Sequence, residues 1–544
     1  MSTRDGVRLC ADLYEPSLPA PWPTVLIRLP YGKGAHPFMA ARGSYWARKG
    51  YACVIQDVRG RWASGGRWEP LVHEAADGCD TLDWLAGLPW CDGRIGMVGE
   101  SYYGMTQFAV APLGHPNLRC IAPGNSSADI YRFVHPGGAF AQTTAGLWAW
   151  EMHGRHNLDP CLFDPWHLPL VDADEAAGVP STLYKDYVRH WARDAYWDDL
   201  RAEAALADSS IPVFHWGGCY DVLLEGTLGA WGAMRRGCRE ARARDRQWLA
   251  IAGTDHALTP TMTGRAGRHH VGADVWSFDR VQRFMDRWVR DEPNGQERDP
   301  RVQTYVMGGD RWHAADEWPP PTLEETILFL HSRGRASSSP DDGRLSPEKP
   351  VEERPDSFRY DPSDPVTWWL GRDLWQSAME LDDRRGLEER ADVAVYSTEP
   401  LPEDLTVIGP LRARLHVSSA TSDTDVVVAL VDVFPDGWAQ LVQEGVCRAR
   451  FRESDREERP LPVGEVEPID VDLVATSYRF SKGHRLRVEV SGSSFGRWDR
   501  NLNTGLPLGT DQVPVTTTTT IWHDAGRASH LVLPVIRDSA GTAV

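Results

Sequence analysis

The stretch Arg94-Ile-Gly-Met-Val-Gly-Glu-Ser-Tyr-Tyr-Gly104 decides how this chain is read, because an apolar run ends there in a glycine-flanked serine and passes at once into a helix-like segment. Serine is a poor nucleophile unless its Oγ stands clear of its neighbours, beside a base and beside donors for an oxyanion. A strained strand-to-helix turn supplies that exposure, and glycines are needed where side chains would collide. Ile95 to Val98 reads as a buried strand and Met105 to Ala111 as a helix running to Pro112, so Ser101 is the candidate nucleophile. The second glycine of the motif lies three residues after the serine rather than the usual two. In a chain with 49 glycines a bare Gly-x-Ser could equally be a structural turn, so the reading needs partners elsewhere in the sequence.

Outward from this turn the pattern is that of a parallel α/β sheet. Pro23 to Leu29 and Tyr51 to Gln56 read as strands, Phe38 to Lys49 as a helix, and an acidic helix passes through Asp80 to Trp84. From Asp129 to Ser210 helical periodicity and many aromatics replace this alternation, as in a lid inserted over a site. The α/β signature resumes at Ile211 to Asp221 and at Gln247 to Gly253. Beyond Pro320 short alternating strands take over, among them Leu411 to Val417, Asp425 to Phe434, Cys447 to Phe451 and His484 to Val490, which indicates an all-β sandwich or jelly roll. Ser337 to Pro355 reads as a long surface loop. The expected division is 1–128 and 211–319 for the two parts of the α/β core, 129–210 for the helical cap and 320–544 for the β domain.

Bulk properties narrow the function. With 544 residues the chain exceeds one core, and 42% hydrophobic with 25% charged residues is ordinary globular composition. A net charge of −19 leaves no basic surplus for nucleic acid or an anionic membrane. The amino-terminal residues have no signal-peptide core, no run approaches a membrane span, and nine cysteines lie outside Cys-x-x-Cys pairs, so a cytoplasmic, reduced protein is expected. Most of the 24 tryptophans are expected in cores, with some available to line an apolar pocket. Neither a zinc-binding His-Glu-x-x-His nor a phosphate-binding loop is present, so no metal and no cofactor is expected.

A nucleophilic serine of this kind takes its acid and base later in the chain, in the order Ser, Asp or Glu, His, each just after a sheet strand. Asp221 ends the strand and turn that begin at Ile211, and His256 follows the strand Trp248 to Ala252. Asp221 could instead cap the helix that follows it, with Glu225 the alternative acid, and His215, His269 and His270 compete with His256 for the role of base. Two donors are required for the oxyanion. The backbone N–H of Tyr102 is one candidate, and the phenolic O–H of Tyr31, just after the first long strand, is the other; a tyrosine merely stacked at a strand end is the alternative for Tyr31.

Arg4-Asp-Gly-Val-Arg-Leu9, Pro30-Tyr31, Gln56-Asp-Val-Arg-Gly60, Trp90-Cys-Asp-Gly93, Gly99-Glu-Ser-Tyr-Tyr-Gly104, Gly218-Cys-Tyr-Asp221, Val431-Asp-Val-Phe-Pro-Asp-Gly437, Ser493-Ser-Phe495 and Asn501-Leu-Asn-Thr504 together resemble the cocaine esterase group of serine hydrolases. Relatives of that group include X-prolyl dipeptidyl peptidases, α-amino acid ester hydrolases and glutaryl cephalosporin acylases. The resemblance implies an α/β-hydrolase core, a helical cap inserted into it and a C-terminal jelly roll. It also implies acylation of Ser101, His256 as base and then acid, Asp221 orienting His256, and Tyr31 with Tyr102 as oxyanion donors. Where the family carries Gly-Pro-Trp-x-His, this chain has Gly253-Thr-Asp-His256, one residue shorter and without the aromatic. The positions matching the family's acyl pocket are Phe133, Trp148, Leu223 and Leu374 or Trp375. The expected substrate is therefore a small ester or amide with an apolar or aromatic acyl group. An X-Pro dipeptidyl-peptidase or α-amino acid ester hydrolase acting on a free amino group is the alternative, and a non-catalytic ligand-binding protein a further one. The sequence leaves the oligomeric state open, homo-oligomer included.

Overall fold

A nine-stranded sheet forms the core of the computed structural model, which describes residues 1–258, 260–272, 279–339 and 341–537. Its first strands are β1 (Ala11–Tyr14), β2 (Trp22–Leu29), β3 (Ala52–Asp57), β4 (Cys91–Glu100), β5 (Leu118–Gly124), β6 (Val213–Gly218) and β7 (Gln247–Ala252). They lie in the order β1-β3-β2-β4-β5-β6-β7, followed by Val302–Val306 and Arg311–Ala315. Pairing is parallel from β3 through to Val302–Val306, and only the two edge strands run antiparallel.

Two-residue periodicity sorts the strand side chains onto two faces, both buried, as a parallel sheet requires. Val25, Ile27 and Leu29 of β2 pack with Trp46 of α1 (Met39–Arg48) and with Phe284, Met285 and Trp288 of the helix Asp279–Trp288. Leu26, Val54, Ile95 and Met97 face the other way, onto Leu82 and Leu85 of α2 (Glu74–Ala86), Phe108 of α3 (Tyr102–Val110) and Met234 of the helix Leu224–Gly237. The carboxyl ends of β2, β4, β5, β6 and β7 therefore converge at one rim of the sheet, where ligands of such sheets bind.

Between β5 and β6 the chain forms only helical turns among the described residues, including Tyr131–Val134, the π-turn Gln142–Gly146, Leu147–Glu151, Thr182–Arg189 and Ala195–Leu200. Their aromatic residues, with Tyr102 and Leu223 of the core and Val427, Val446 and Trp498 of the β domain, share one apolar cluster. From Leu323 onward twelve strands pair, almost all antiparallel, into the jelly roll. It is fused to the edge of the core sheet by main-chain bonds, the N–H of Met307 donating to Ser477 O at 3.1 Å and that of Arg479 to Met307 O at 2.8 Å. The cap is tied to the same domain by Asp499, whose N–H donates to Phe140 O while its carboxylate accepts from Phe140 N–H, both at 2.8 Å.

Local expectations fail at several points. Cys447 to Phe451 is no separate strand: the strand is Ala439–Arg448, and Ala449–Phe451 closes into a 3-10 turn. Ser337 to Pro355 is not wholly loop, because Arg344–Ser346 pairs with Phe329–His331. The β domain is built on long strands, Leu405–Ser419 and Glu467–Phe480 among them, and the first carries a register shift between Pro410 and Arg412. Strand β5, lying between β4 and β6, escapes sequence reading because Arg119 and Pro123 interrupt a short apolar run. All nine cysteines are unpaired. Among the described residues no helix is long and apolar enough to cross a membrane.

Candidate active site

Ser101 joins β4 directly to α3 with φ 59° and ψ −134°, a left-handed backbone value that a side-chain-bearing residue adopts at a cost. The turn is clamped: Ser101 N–H lies 3.0 Å from Gly124 O and 3.1 Å from Asn125 O, both at the end of the neighbouring strand. Gly99 has φ 137°, and a Cβ there would come within 2.2 Å of the Tyr103 ring. A Cβ on Gly104 would fall 2.5 Å from Ser126 Oγ. The displaced second glycine is thus explained by packing: Tyr103 fills the position two after the serine, and the close approach to the next strand comes one residue later.

Tyr31 follows β2 and places its hydroxyl 3.4 Å from Ser101 Oγ. Trp148 of the cap donates its indole N–H to the same phenolic oxygen at 3.3 Å. An indole can only donate, so the Tyr31 oxygen accepts from the cap and keeps its own hydrogen for the Ser101 side. Burial pushes the Tyr31 pKa up, against the smaller opposing effects of Ser101 and Trp148, and so keeps the phenol protonated. Tyr102 is the first residue of α3, so its N–H has no intrahelical acceptor. Its hydroxyl donates to Glu74 at 2.9 Å and accepts from Leu71 N–H at 2.9 Å, which fixes the start of the helix.

Asp221 lies three residues past β6, buried, and its Oδ1 accepts from His256 Nδ1 at 2.7 Å and from Leu223 N–H at 3.1 Å. The helix after it begins at Leu224 with no side-chain cap. A carboxylate only accepts, so the imidazole proton sits on Nδ1 and Nε2 presents its lone pair. Burial alone would lower the His256 pKa, but the Asp221 carboxylate overrides it by charge and hydrogen bond, with smaller contributions from Glu100 and Asp255, and the net shift is upward. The His256 side chain is 12% exposed, and its ring lies 4.9 Å from that of Trp375.

The competing residues have other employment. His215 is buried in the sheet, 3.0 Å from Gln247 Oε1 and stacked on Phe108, with its pKa lowered to about 4 by burial. His269 lies 2.5 Å from the Tyr478 hydroxyl, against the jelly roll, and His270 is the exposed residue of the two-residue strand His269–His270. Glu225 pairs with Arg132 at 2.7 Å. Glu100, next to the serine, turns away to Arg42 and to the Tyr103 hydroxyl, which donates to it at 2.7 Å.

Phe133, Trp148 and Leu223 belong to the apolar cluster between cap and core, with Tyr31 and Trp375 packed against it, and Phe133 lies 6.1 Å ring to ring from Trp375. Leu374 does not join them: it is buried in the jelly-roll core with Tyr220 and Trp369, because the two residues of this 3-10 turn point to opposite sides. Two further neighbours went unread in the sequence, Trp68, ring to ring with both Tyr102 and Trp148, and Asn125, the residue directly after β5.

Fold and site together define a serine hydrolase of the α/β-hydrolase type. The X-Pro dipeptidyl-peptidase (S15 family) model matches residues 5–257, and the model for the X-Pro dipeptidyl-peptidase C-terminal non-catalytic domain matches residues 294–532. The chain is 34% identical to the cocaine esterase of Rhodococcus sp. (strain MB1 Bresler) over 98% of its own length and 97% of that enzyme. Among solved structures it superposes on an aminopeptidase from a marine sediment archaeon of the Thaumarchaeota with TM-score 0.87 and 25% identity, covering 98% of this chain and 95% of that one. An α-amino acid ester hydrolase gives TM-score 0.86 at 25% identity, with the same coverage of 98% and 95%. The chain belongs to this family of cocaine esterase and X-Pro dipeptidyl-peptidase relatives.

Proposed function

We propose that this enzyme cleaves esters of small apolar or aromatic acyl groups through an acyl-enzyme on Ser101, with His256 and Asp221 completing the triad. The observation that carries this reading is that Tyr31, whose hydroxyl lies 3.4 Å from Ser101 Oγ, packs against the apolar cluster of Trp148, Phe133 and Leu223 that Trp375 also borders, which favours an apolar acyl group. In the reaction, Ser101 Oγ attacks the acyl carbon while its proton passes to His256 Nε2. The oxyanion takes hydrogen bonds from the Tyr31 O–H and the Tyr102 N–H. Collapse of the tetrahedral intermediate breaks the ester bond, and the imidazolium returns its proton to the departing alkoxide oxygen. Water, deprotonated by the same Nε2, then attacks the acyl carbon, and collapse of this second intermediate breaks the bond to Ser101 Oγ, which takes the proton back from the imidazolium as the acid is released. No cofactor enters this scheme.

Four acids of the cap have partners of their own, which favours an ester without a free ammonium. Asp159 and Asp164 accept from Cys161 and Trp166 N–H, Asp174 from Ser181 N–H, and Glu175 pairs with Lys185. Glu151 supports the second reading, an X-Pro dipeptidyl-peptidase or α-amino acid ester hydrolase. Its carboxyl pKa is raised by burial, and its field reaches the Tyr31 hydroxyl. Paired assays of p-nitrophenyl acyl esters of graded size against Xaa-Pro-p-nitroanilides separate the two. Ester turnover rising with acyl bulk, without anilide cleavage, is expected; anilide cleavage that requires a free amino terminus, and is lost in Glu151→Gln, would transfer the assignment to the second reading.

Tyr31→Phe tests the oxyanion role. Loss of one pre-aimed donor costs about 3 kcal/mol of barrier, a kcat loss on the order of 10²–10³-fold with little change in KM. A fall in KM-linked binding alone, with kcat intact, would reduce Tyr31 to a packing residue.

A further inference from the structure

The three functional side chains come from three separated segments: the turn after β4, the loop after β6 and the loop after β7. Strand β5 lies between β4 and β6, and the residues just beyond it, Asn125-Ser126-Ser127, bond to the Ser101 turn and the His256 loop and to the strand and helix that flank Asp221. Asn125 is wholly buried, with φ 39°, a conformation that Asn tolerates better than most residues. Its N–H donates to Trp216 O in β6 at 2.8 Å, and its carbonyl accepts from Ser101 N–H at 3.1 Å. Its side-chain Nδ2 donates to the carbonyls of both Asp255 and His256, each at 3.1 Å. One residue thus holds the nucleophile turn by its main chain and the base loop by its amide.

The neighbouring residue extends the link to the acid. Ser126 Oγ donates to Ser101 O at 2.9 Å, while Thr227, on the helix after Asp221, accepts from Ser126 N–H at 3.1 Å and donates to Ser126 O at 2.9 Å. A Cβ on Gly104 would lie 2.5 Å from Ser126 Oγ, and one on Gly226 would lie 2.2 Å from Ser127 Oγ. The helices behind the serine and behind the acid therefore close onto this segment only because both positions are glycine. The orientation of the Asn125 amide is set by its surroundings: two carbonyl oxygens face Nδ2, and Oδ1 is left buried without a protein partner.

We propose that Asn125 is a positioning residue for the reaction, its amide holding the His256 loop in register with the Ser101 turn. The inference rests on the Ser101–His256 reading above. In-line transfer between Oγ and Nε2 is steeply sensitive to placement, and an error of about 1 Å can cost on the order of 100-fold in rate. Asn125→Asp keeps shape and backbone tolerance but turns a carboxylate oxygen toward the two carbonyls; Asn125→Gly keeps the backbone conformation and removes the amide.

The test compares wild type, both variants and Ser101→Ala, measuring active sites by stoichiometric fluorophosphonate labelling, then kcat, KM and labelling rate per titrated site. In both variants kcat and labelling rate per site are expected to fall about 30-fold or more, with KM within about twofold, an effect of alignment rather than binding. A structural role alone would lower the number of titrated sites and leave the rate per site unchanged, and that result overturns the inference. Should one variant not fold, the other decides. Wild type that fails to label above Ser101→Ala would overturn the triad reading itself, a result distinct from labelled variants that react at the wild-type rate.

Discussion

Ser101→Ala is expected to lower kcat on a p-nitrophenyl ester by on the order of 10⁶-fold and to abolish fluorophosphonate labelling, and His256→Ala is expected to cost about as much. The double variant should be no worse than either alone. Nucleophile and base act as one device: without the base the hydroxyl keeps its proton, and without the hydroxyl the base has nothing to activate. What survives is turnover assisted by Tyr31 and Tyr102, roughly 10³–10⁴-fold above water in comparable enzymes. Additive losses would contradict the shared step. Retention of more than a few per cent of activity in His256→Ala would remove His256 as base and direct attention to His36, whose ring lies 6.2 Å from that of Tyr31.

The legible and illegible parts of this site differ in a physical way. Ser101, Asp221 and His256, the residues proposed as the triad, are singled out by sequence because each stands within four residues of the end of an apolar run, and the end of a parallel strand is fixed by local sequence. The odd glycine spacing is visible in the sequence but not explicable from it, since its cause is the contact of Gly104 with Ser126, in the loop after the neighbouring strand. Leu374 and Trp375 are adjacent in sequence, yet one enters the jelly-roll core and the other reaches the site, a choice made by the orientation of a 3-10 turn after the domains pack. Asn125 left no recognisable side-chain pattern because its partners are main-chain carbonyls. The fold class was readable from the switch between periodicities; the length of the β strands was not, because a register shift within a long strand breaks the alternation that would reveal it.

Asp221→Asn is the sharper test of the acid, because it changes charge with almost no change of volume. Asp221 Oδ1 holds the Nδ1 proton of His256, and an amide can instead offer its N–H₂ to Nδ1, stabilising the tautomer whose Nε2 is protonated and useless as a base. A kcat loss on the order of 10⁴-fold is expected, smaller than that of Ser101→Ala. The pH profile carries the second half of the argument. Only neutral His256 can accept the serine proton, so kcat/KM falls as pH drops through its pKa. In the wild type Asp221 raises that pKa, which places the acid limb above the ~6.5 of a free imidazole. Removing the carboxylate leaves burial as the dominant influence, opposed only by the weaker fields of Glu100, itself paired with Arg42, and of Asp255. The limb should therefore move to lower pH in Asp221→Asn, and the ratio of wild-type to variant activity should narrow as the medium is acidified. A limb that stays in place while kcat collapses would mean that another group sets it, and that Asp221 orients the imidazole without governing its charge.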